Sequence, residues 1–513
     1  MERILLFLAV LSLILMYLPA LAETENVYAS DFSRNEDGWY GRGAASRAVN
    51  GVLHTEGRQS DWNSPGRDFD LIEGGKYALS VQVYQDQMAS ASFMISVAHS
   101  RDGMETYENL AFGQAKKGEW TTLTGAYTAG PFDRFVLYVE TTGASELAFD
   151  IRDFVVTAPD GLPEPKPTEP PMVIEAADNV PSLKGIYAGK FDFGSAVPAR
   201  AMQDQKLKNL ILEQFNILTP ENELKPDSVL DVSASRRLAQ EDETAAAVHF
   251  DAARSLLNFA RDNGLKMHGH VLVWHSQTPE AFFHEGYDTQ KPLVTREVML
   301  GRLENYIKGV MEYMNENYPG VIVSWDVVNE AIDDGSNWLR KSNWYQVVGE
   351  DFVARAFELA RKYAPEGTLL YYNDYNTAIT GKLNGIVRLL KTLIAEGNID
   401  GYGFQMHHSV GFPSMQMITD AVEKIAGMGL RLRVSELDIG VDNNTAASFT
   451  KQAEKYGQIM RLLLKHSDQF EAVQVWGLTD IMSWRASNYP LLFDGYRNPK
   501  PAFWAVADPD SVP

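Results

Sequence analysis

The sequence predicts an α/β fold class, an eight-fold β/α (TIM) barrel preceded by an all-β sandwich module. Three observations support this division. Residues 27–157 contain many short alternating apolar segments with Gly-rich turns and no convincing helix, residues 158–171 are rich in proline, and residues 172–508 alternate β-type segments with amphipathic helical patterns. The chain has 513 residues, which is also too long for one typical domain.

The bulk composition excludes some classes of function. Hydrophobic residues make up 45% of the chain, enough for large cores. A formal net charge of −22 argues against a nucleic-acid partner. The chain has no cysteine, so a cysteine-dependent metal or redox site is excluded and stability has to come from packing.

Residues 1–22 predict a signal peptide. Arg3 supplies a positive charge, Leu5 to Leu18 form an apolar core, and Ala20-Leu21-Ala22 fits the small-x-small cleavage rule. An uncleaved membrane anchor is the alternative, although the apolar core is short for a spanning helix. We therefore expect a secreted, extracellular, monomeric protein with no membrane association after cleavage.

Residues 27–157 show the alternation expected of antiparallel strands packed face to face. Tyr77, Leu79, Val81 and Val83 alternate with small or polar residues. A further set of residues does not fit a core role, and its members would form a groove for sugar rings if they shared one sheet face. This set comprises Trp39, Tyr40, Arg42, Trp62, Tyr107 and Tyr138, with Glu140 nearby.

Residues 158–171 predict a stiff, extended and solvated linker. Six prolines lie between Pro159 and Pro171, among Asp, Glu, Lys and Thr. Because the segment is short, it predicts that the two folded parts stay near each other.

Residues 172–508 predict a closed barrel. Helical patterns follow Thr295, occupy Asp251 to Asn263 with Gly264 as a left-handed cap, and recur around Tyr456. Eight strands with helices between them close most simply as a barrel; an open doubly wound sheet is the alternative, but no Gly-rich phosphate loop follows the first strand. The predicted strands are Lys184–Tyr187, Phe215–Leu218, Lys266–Gly269, Ile322–Trp325, Leu369–Tyr372, Gly403–Gln405, Leu432–Ser435 and Ala472–Val475.

Polar and aromatic side chains follow seven of these strands. In a barrel all strand C-termini open onto one face, where active sites lie. Side chains from seven strands would therefore meet at one site on this face. They include two carboxylates from different strands, and such a pair is what cleavage of a glycosidic bond requires. The groups are Glu221 and Asn222, His270 and Trp274, Asn329 and Glu330, Asn373, Gln405 and His407, Glu436, and Trp476.

The same stretches carry a family resemblance. The segment closely resembles the endo-β-1,4-xylanases of glycoside hydrolase family 10, and the resemblance covers essentially the whole predicted barrel. The matching stretches are Thr219 to Lys225, Gly269 to His275, Trp325 to Glu330, Tyr372-Asn373-Asp374-Tyr375-Asn376, Gln405-Met406-His407, Ser435-Glu436-Leu437-Asp438 and Trp476 to Asp480.

The resemblance implies a retaining double displacement, with Glu330 as acid/base and Glu436 as nucleophile. One carboxyl must hold a proton for the leaving oxygen while the other is ionised to attack the anomeric carbon, at a separation of about 5–5.5 Å. The resemblance also implies that His407 and Asp438 orient Glu436, and it implies no cofactor and no metal. The implied substrate-binding residues are Glu221, Asn222, Lys225, His270, Trp274, Gln277, Asn329, Tyr375, Gln405, His407, Trp476 and Trp484.

The N-terminal region carries a second resemblance. Gly38 to Gly43, Asp61-Trp62-Asn63 and Tyr138-Val139-Glu140 resemble carbohydrate-binding module family 22. That resemblance implies a xylan or mixed-linkage β-glucan ligand, and a structural calcium in the module stays an open question. The positions matched to the family's groove are Arg42, Trp62, Tyr107, Tyr138 and Glu140; an incidental surface role is the alternative for each.

One segment departs from the family pattern. Pro226-Asp227-Ser228 stands where many members have an aromatic residue, and an Ala- and charge-rich segment, Val232 to Ala247, follows. We expect it to lengthen the loop after the second strand. The overall prediction is a secreted endo-xylanase acting on xylan and xylo-oligosaccharides. The alternatives are a related barrel glycosidase acting on mixed-linkage glucan or cellulose, and a non-catalytic glycan-binding protein.

Overall fold

The computed structural model describes residues 24–101, 104–132, 134–162 and 169–513. The predicted signal peptide, residues 1–22, lies outside the described residues, as do residues 163–168 of the proline-rich segment. The chain divides into two compact units, Met1–Thr168 and Glu169–Pro513. Within the described part of the chain, no helix is long and apolar enough to cross a bilayer.

The first unit is an all-β module of two antiparallel sheets. The first sheet has the order β3-β4-β11-β6-β9 with β1 paired to β11, and the second has the order β2-β5-β10-β7-β8. The strands are β1 (Glu25–Ser30), β2 (Tyr40–Arg42), β3 (Ala45–Val49), β4 (Val52–Glu56), β5 (Ser64–Phe69), β6 (Lys76–Tyr84), β7 (Ser90–Arg101), β8 (Met104–Lys116), β9 (Thr121–Thr128), β10 (Arg134–Thr142) and β11 (Phe149–Ala158).

The core of the module lies between the two sheets. The predicted alternation along β6 is confirmed, since Tyr77, Leu79, Val81 and Val83 are all buried. The prediction that Trp39 has no core role is wrong. Its indole is buried, packs against Phe154 at 4.7 Å between ring centroids and donates from Nε1 to the Tyr28 hydroxyl at 2.9 Å. A bulky indole with its single donor satisfied is a stable core residue.

The second unit is a closed barrel of eight parallel strands. Its order is β17-β16-β15-β14-β13-β12-β20-β19, and β17 also pairs with β19, which closes the ring; the short β18 pairs with β19 outside it. The predicted fold, a sandwich followed by an eight-fold barrel, is therefore confirmed. The strands are β12 (Asp192–Val197), β13 (Ile217–Pro220), β14 (Lys266–Trp274), β15 (Ile322–Asn329), β16 (Leu369–Asp374), β17 (Gly401–Phe404), β18 (His407–Ser409), β19 (Arg431–Gly440) and β20 (Phe470–Val475).

Helices pack around the barrel with their apolar sides inward. The predicted helix after Thr295 is present, with the Thr295 hydroxyl capping the N–H of Val298, whereas the helix predicted from Asp251 begins three residues later. The helices are α1 (Leu183–Ile186), α2 (Gln205–Gln214), α3 (Pro226–Val229), α4 (Val232–Leu238), α5 (Arg254–Asp262), α6 (Arg296–Asn317), α7 (Asn343–Val348), α8 (Phe352–Tyr363), α9 (Thr380–Glu396), α10 (Met415–Ala426), α11 (Ala446–Lys465) and α12 (Pro501–Ala507).

The first predicted barrel strand is wrong. Residues 184–187 lie in and after helix α1, where the N–H of Tyr187 donates to the carbonyl of Leu183 at 3.1 Å and both side chains are buried four residues apart. The first strand is β12 instead. Its centre, Gly194, has no room for a side chain, because a Cβ there would lie 2.2 Å from the carbonyl oxygen of Ile217. Such a strand lacks the bulky β-branched pattern by which strands are recognised.

Two further segments differ from the simple expectation. The predicted loop extension, Val232 to Ala247, begins with helix α4, which is capped by the Asp231 carboxylate accepting from the N–H of Ala234. At the end of the proline-rich segment, Pro171 forms a β-bridge with Thr445 of the barrel unit. The segment therefore contacts the barrel at that point, and Glu169, Pro170 and Pro171 are exposed there.

Candidate active site

Side chains from seven barrel strands converge at the carboxyl ends of the strands. Glu330 directly follows β15 and Glu436 lies within β19, so both carboxylates are presented on the same face of the barrel. The network around them is made of amides, imidazoles and indoles.

Glu436 is buried and held by two donors. It is 5% exposed, and it accepts from Asn373 Nδ2 at 2.7 Å and from His407 Nε2 at 3.1 Å. Burial alone would raise the pKa of Glu436, but the hydrogen bond from His407 and the electrostatic attraction of His270 and His407 outweigh burial and lower it. Glu436 is therefore the ionised carboxylate of the site.

His407 owes its charge to Asp438. Burial lowers the pKa of His407, but Asp438 and Glu436 together raise it to about 10. The ring is thus a cation at neutral pH, with Nδ1 donating to Asp438 Oδ2 at 2.8 Å and Nε2 donating to Glu436. Asp438 is itself held by Arg485 Nη1 at 2.6 Å and by Trp484 Nε1 at 3.0 Å. Arg485 was missed from the sequence, although it adjoins Trp484.

Among the described hydrogen bonds, the side-chain carboxylate of Glu330 accepts from neutral donors only. Oε2 accepts from Trp274 Nε1 at 3.0 Å, and Oε1 accepts from Gln405 Nε2 at 2.9 Å and from Asn329 Nδ2 at 3.2 Å. The hydrogen-bond donors of the two carboxylates therefore differ: Glu436 accepts from a cation, whereas Glu330 accepts from uncharged amide and indole groups.

A chain of amides joins the two carboxylates. Asn373 Nδ2 donates both to Glu436 and to Asn329 Oδ1, the latter at 3.1 Å, while Asn329 Nδ2 reaches Glu330. Ser435 Oγ donates to Asn373 Oδ1 at 2.7 Å and fixes the orientation of that amide. Each carboxyl group is therefore bound to one member of a hydrogen-bonded pair of asparagines, Glu436 to Asn373 and Glu330 to Asn329.

The backbone directly after Glu330 is held by hydrogen bonds to the side chains of Tyr372 and Lys382. The Tyr372 hydroxyl accepts from the N–H groups of Ala331 at 3.0 Å and Ile332 at 3.2 Å, and donates to the Asp374 carboxylate. Lys382 Nζ donates to the carbonyl of Ile332 at 2.6 Å and pairs with Asp374 at 3.0 Å. Neither anchoring role was predicted, although Tyr372 belongs to the Tyr-Asn-Asp-Tyr-Asn stretch.

Four residues on the rim of the barrel adopt left-handed backbone conformations. Gln277, Glu330, Asn376 and Met406 have φ angles of 44°, 54°, 53° and 58°, and they follow the consecutive strands β14, β15, β16 and β17. A side chain at such a φ is disfavoured for residues other than glycine and asparagine.

One wall of the cleft is a polar cluster around Lys225. Lys225 Nζ donates to Asn222 Oδ1 and to Gln277 Oε1, both at 2.9 Å, and lies 5.0 Å from the centroid of the Trp274 ring. Burial lowers the pKa of Lys225, and the carboxylates of Glu436 and Glu221 oppose that effect. These predicted substrate-binding residues are thus brought together beside the carboxylates.

His270 and Trp476 form the floor. His270 Nδ1 lies 2.9 Å from Asp326 Oδ2, and its ring packs edge-on against Trp476 at 5.4 Å. Trp476 is mostly buried, whereas Trp484 is 62% exposed and packs its ring against His407 at 5.0 Å. Trp484 is therefore the tryptophan with a free face for a sugar ring.

Tyr375 stands apart from the carboxylates. Its hydroxyl donates to Asp334 Oδ2 and accepts from Arg340 Nη2 at 3.2 Å, and Lys382 Nζ lies 3.9 Å above its ring. Arg340 in turn approaches the carbonyl of Glu330 at 3.4 Å. Tyr375 thus borders the loop after β15, on the side of the site formed by residues 331–340.

The module presents part of the second predicted set on one face of its second sheet. We call the side of that sheet turned away from the core the outer face. On it, Arg42 stacks over the Tyr138 ring at 3.8 Å, and Ser96 Oγ donates to Glu140 Oε1 at 2.7 Å. Tyr138 is buried, because Arg42 covers its ring, whereas Trp62 and Tyr107 are exposed.

Among the described residues there is no group of three or more His, Cys, Asp or Glu side chains arranged to hold a metal ion. His268 lies 2.7 Å from Ser324 Oγ and 2.9 Å from Asp326 Oδ2 inside the barrel.

Comparison with known proteins places both units among carbohydrate-active families. The model of glycosyl hydrolase family 10 matches residues 182–509, and a carbohydrate-binding domain model matches residues 24–146. Endo-1,4-beta-xylanase A of Thermotoga neapolitana is 31% identical over 96% of this chain, and Exoglucanase XynX of Acetivibrio thermocellus is 31% identical over 98% of it. The chain spans about half the length of these relatives, 47% of each.

A solved structure is similar over both units. The N-terminal CBM22-1–GH10 modules of a Clostridium thermocellum endo-1,4-beta-D-xylanase, complexed with xylohexaose, match with a TM-score of 0.60 and 31% identity. The match covers 94% of this chain and 97% of that one.

Proposed function

The chain belongs to glycosyl hydrolase family 10, and from that premise we propose that it is an endo-1,4-β-xylanase that hydrolyses internal bonds of xylan with retention of anomeric configuration. The observation that carries the proposal is the pair of carboxylates in contrasting surroundings. Glu436 accepts a hydrogen bond from the cationic His407, and Glu330 accepts from the neutral side chains of Trp274 and Gln405. Two chemically identical acids need such a difference to take different roles.

The reaction runs in two displacements. Glu436 attacks the anomeric carbon while Glu330 gives its proton to the leaving oxygen, so that a glycosyl-enzyme and a free chain end form. A water molecule then attacks the same carbon, Glu330 takes its proton, and the bond to Glu436 breaks. The amide chain through Asn373 and Asn329 holds the two acids in register for both steps.

Asn329 is oriented for contact with the reacting sugar. Its Oδ1 accepts from Asn373 Nδ2 and from Gln405 Nε2 at 3.0 Å, so its Nδ2 is turned toward Glu330. An amide N–H fixed at that point supports the prediction that Asn329 donates to the sugar 2-hydroxyl, a contact that strengthens in the transition state. Fixed donors of this kind need no reorganisation during the reaction.

Several features support xylan as the substrate and a helper role for the module. The relatives include enzymes named endo-1,4-beta-xylanases, and the solved two-module structure holds xylohexaose. We propose that the module binds polysaccharide through its outer face and brings the barrel to it. We also propose that residues 1–22 direct secretion and that the protein acts as a monomer outside the cell.

The test is reducing-sugar release from glucuronoxylan by the protein and by its Glu436→Ala variant. The parent should release xylo-oligosaccharides and the variant should lose activity by several orders of magnitude. Proton NMR of the first products should show the β-anomer before mutarotation. First products in the α form would contradict a retaining mechanism, and equal activity of the two proteins would contradict the role of Glu436.

A glucan-directed activity is the second candidate. It is favoured by the similarity to the Acetivibrio thermocellus protein named an exoglucanase. A glucose unit adds a hydroxymethyl group to each sugar, so the cleft must have room beside each bound ring. Parallel assays on xylan, mixed-linkage β-glucan and carboxymethylcellulose separate the two. Activity on the glucans without activity on xylan would replace the proposed substrate and leave the chemistry unchanged.

A further inference from the structure

Phe112 is an exposed aromatic ring on the module that belongs to none of the sets predicted above. It is 70% exposed, more than Trp62 at 58% or Tyr107 at 61%. A single exposed aromatic residue is ordinary on a protein surface. The position of this ring in the sheet, however, indicates a role in binding.

The strand register places Phe112 on the outer face, in one row with Glu140. Along β10, Leu137 and Val139 belong to the core, so Glu140 points to the outer face. Glu140 is paired with Met94 on β7, and Met94 is paired with Phe112 on β8. Side chains at directly paired positions of neighbouring strands share a face.

A β-bulge explains why strict alternation of side chains along β8 would place Phe112 on the wrong face of the sheet. Ile95 pairs with Ala111 and Ser96 pairs with Asn109, so Leu110 is an extra residue on β8. A one-residue insertion moves every following side chain to the opposite face. Without it, Phe112 would lie on the core side; with it, Phe112 lies on the same face as Tyr107.

Trp62 occupies the other end of the same row. It lies two residues before β5, and its neighbour Asp61 accepts through its carbonyl from the N–H of Thr141, the residue after Glu140. Trp62 therefore stands on the β5 side of Glu140, and Phe112 stands on the β8 side. Strands are about 4.8 Å apart, so Phe112 lies about 10 Å from Glu140 across the sheet.

Polar groups suited to hydroxyls lie between the two rings. Glu140 is buried with one oxygen bound by Ser96, and burial raises the pKa of Glu140. Arg42 lies over Tyr138, and its Nη1 atom is buried without a hydrogen-bond partner among the described residues. A buried donor without a partner is costly unless a ligand satisfies it.

We propose that Phe112 is a sugar-stacking platform, and that a linear β-1,4-linked glycan chain crosses the strands of the outer face from Trp62 over Glu140 to Phe112. An aromatic face suits the C–H side of a pyranose ring, and the acid and guanidinium between the two rings suit its hydroxyls. The proposal rests on the proposed polysaccharide-binding function of the module and extends the groove by one platform beyond the predicted set.

Self-association through β8 is the competing role for this ring, because β8 is an edge strand of its sheet. The edge carries Glu105, Glu108 and Lys116, and charges on an edge strand oppose pairing with a second copy. A glycan is favoured over a second copy because Phe112 shares its row with an unburied indole and a hydroxyl-binding carboxylate.

The experiment measures depletion of the full chain from solution by insoluble xylan, for the parent, Phe112→Ala, Phe112→Trp, Trp62→Ala and Val49→Ala. Val49 is a matched control because it is 40% exposed and lies on β3 of the other sheet. Phe112→Ala should weaken binding about three- to tenfold, as loss of one stacking ring predicts. Phe112→Trp should bind like the parent, and Val49→Ala should not change binding.

The outcomes distinguish a failure of the proposed role of Phe112 from a failure of the proposed polysaccharide binding by the module. If Trp62→Ala weakens binding and Phe112→Ala does not, the platform is overturned and the module still binds xylan. If neither substitution changes binding, the proposed function of the module fails and the platform with it. Thermal unfolding of each variant checks folding. If sedimentation shows that Phe112→Ala abolishes a dimer while xylan binding stays constant, the ring serves self-association and the proposal is wrong.

Discussion

The carboxylates of the barrel are buried or half-buried and hydrogen-bonded, whereas Trp62 and Phe112 of the module stand in solvent. Glu436 is enclosed by Asn373 and His407, while Trp62 and Phe112 have more than half of their surfaces free. A charge acts strongly only where water is excluded and the donors are already in place. Reversible attachment to a polymer needs apolar contact that is easily released. One substitution in the barrel should therefore change a rate by orders of magnitude, and one on the module should change an affinity by a small factor.

The largest effect should come from Glu436→Gln. The amide keeps the shape of the side chain but cannot attack the anomeric carbon, so kcat/KM on xylan should fall by about 10⁴-fold or more. Binding to insoluble xylan through the module should stay close to that of the parent. Steady-state kinetics and the depletion assay measure the two quantities. Residual activity above about one per cent would contradict the expectation that one substitution in the barrel lowers the rate by orders of magnitude.

The second effect concerns His407→Gln and the pH profile. Removing a fixed cationic donor should lower kcat/KM by about 10²- to 10³-fold. It should also raise the pKa of Glu436, so the acidic limb of the pH–rate profile should move to higher pH, because Glu436 is active only when ionised. A pH–rate profile of kcat/KM checks this, and an unmoved acidic limb would contradict it. His249→Gln is the control, since His249 is exposed on the surface.

His407 should also affect stability as a function of pH. The pKa of His407 in the folded protein is raised to about 10, above the reference value of about 6.5. Its stabilising contribution is therefore complete below pH 6.5 and is lost as the pH rises through about 10. Urea unfolding at pH 6 and at pH 10.5 should show a larger difference between the parent and His407→Gln at the lower pH.

The third prediction concerns Tyr372→Phe, which tests whether the backbone anchor after Glu330 matters for catalysis. The change leaves the buried N–H groups of Ala331 and Ile332 without their acceptor, which should cost about 1–3 kcal/mol of stability. It should also loosen Glu330 and lower kcat about 10- to 100-fold. The loss should be larger for xylosides with poor leaving groups, which need protonation, than for dinitrophenyl xylosides, which do not.

A matched control separates positioning from general destabilisation. Tyr402 is a buried tyrosine on the next strand whose hydroxyl lies 2.6 Å from Thr377 Oγ1. Tyr402→Phe should destabilise the barrel without changing the dependence on the leaving group. An equal loss for both classes of xyloside in Tyr372→Phe would show that the anchor does not act on Glu330.

The smallest effect should come from Trp62→Ala on the module. The indole is 58% exposed and supplies stacking area rather than charge, so its removal should weaken binding to insoluble xylan about tenfold. Activity on soluble aryl xylobiosides should not change, since these substrates occupy only the barrel. A loss of activity on the soluble substrate would show that the two regions are coupled.

The sequence predicted the barrel site better than the module face, for a physical reason. Barrel strands are parallel and all end on one face, so residues such as Glu330 and Glu436 could be placed together without knowing any distance. The first strand was missed because its small residues Gly194, Ser195 and Ala196 fit a crowded interior and carry no strand pattern. Arg485 and Tyr372 were missed because their roles depend on contacts made across the fold.

On the module, the position of each side chain depends on register. Trp39 was predicted to have no core role, yet it lies in the core. Phe112 was missed because the bulge at Leu110 reverses the face on which later residues of β8 lie. A bulge has no reliable signature in a single sequence, so the outer face could be only partly predicted.

The left-handed rim has a consequence for engineering heat resistance. Gln277, Glu330 and Met406 hold φ angles that glycine adopts freely, and each of these side chains costs the fold about 1 kcal/mol or more. A selection that rewarded melting temperature alone would therefore favour glycine at these positions. At Glu330 it would remove the very carboxyl group on which turnover depends. Screens for durable variants should leave the rim untouched and look for gains in the helices that surround the barrel.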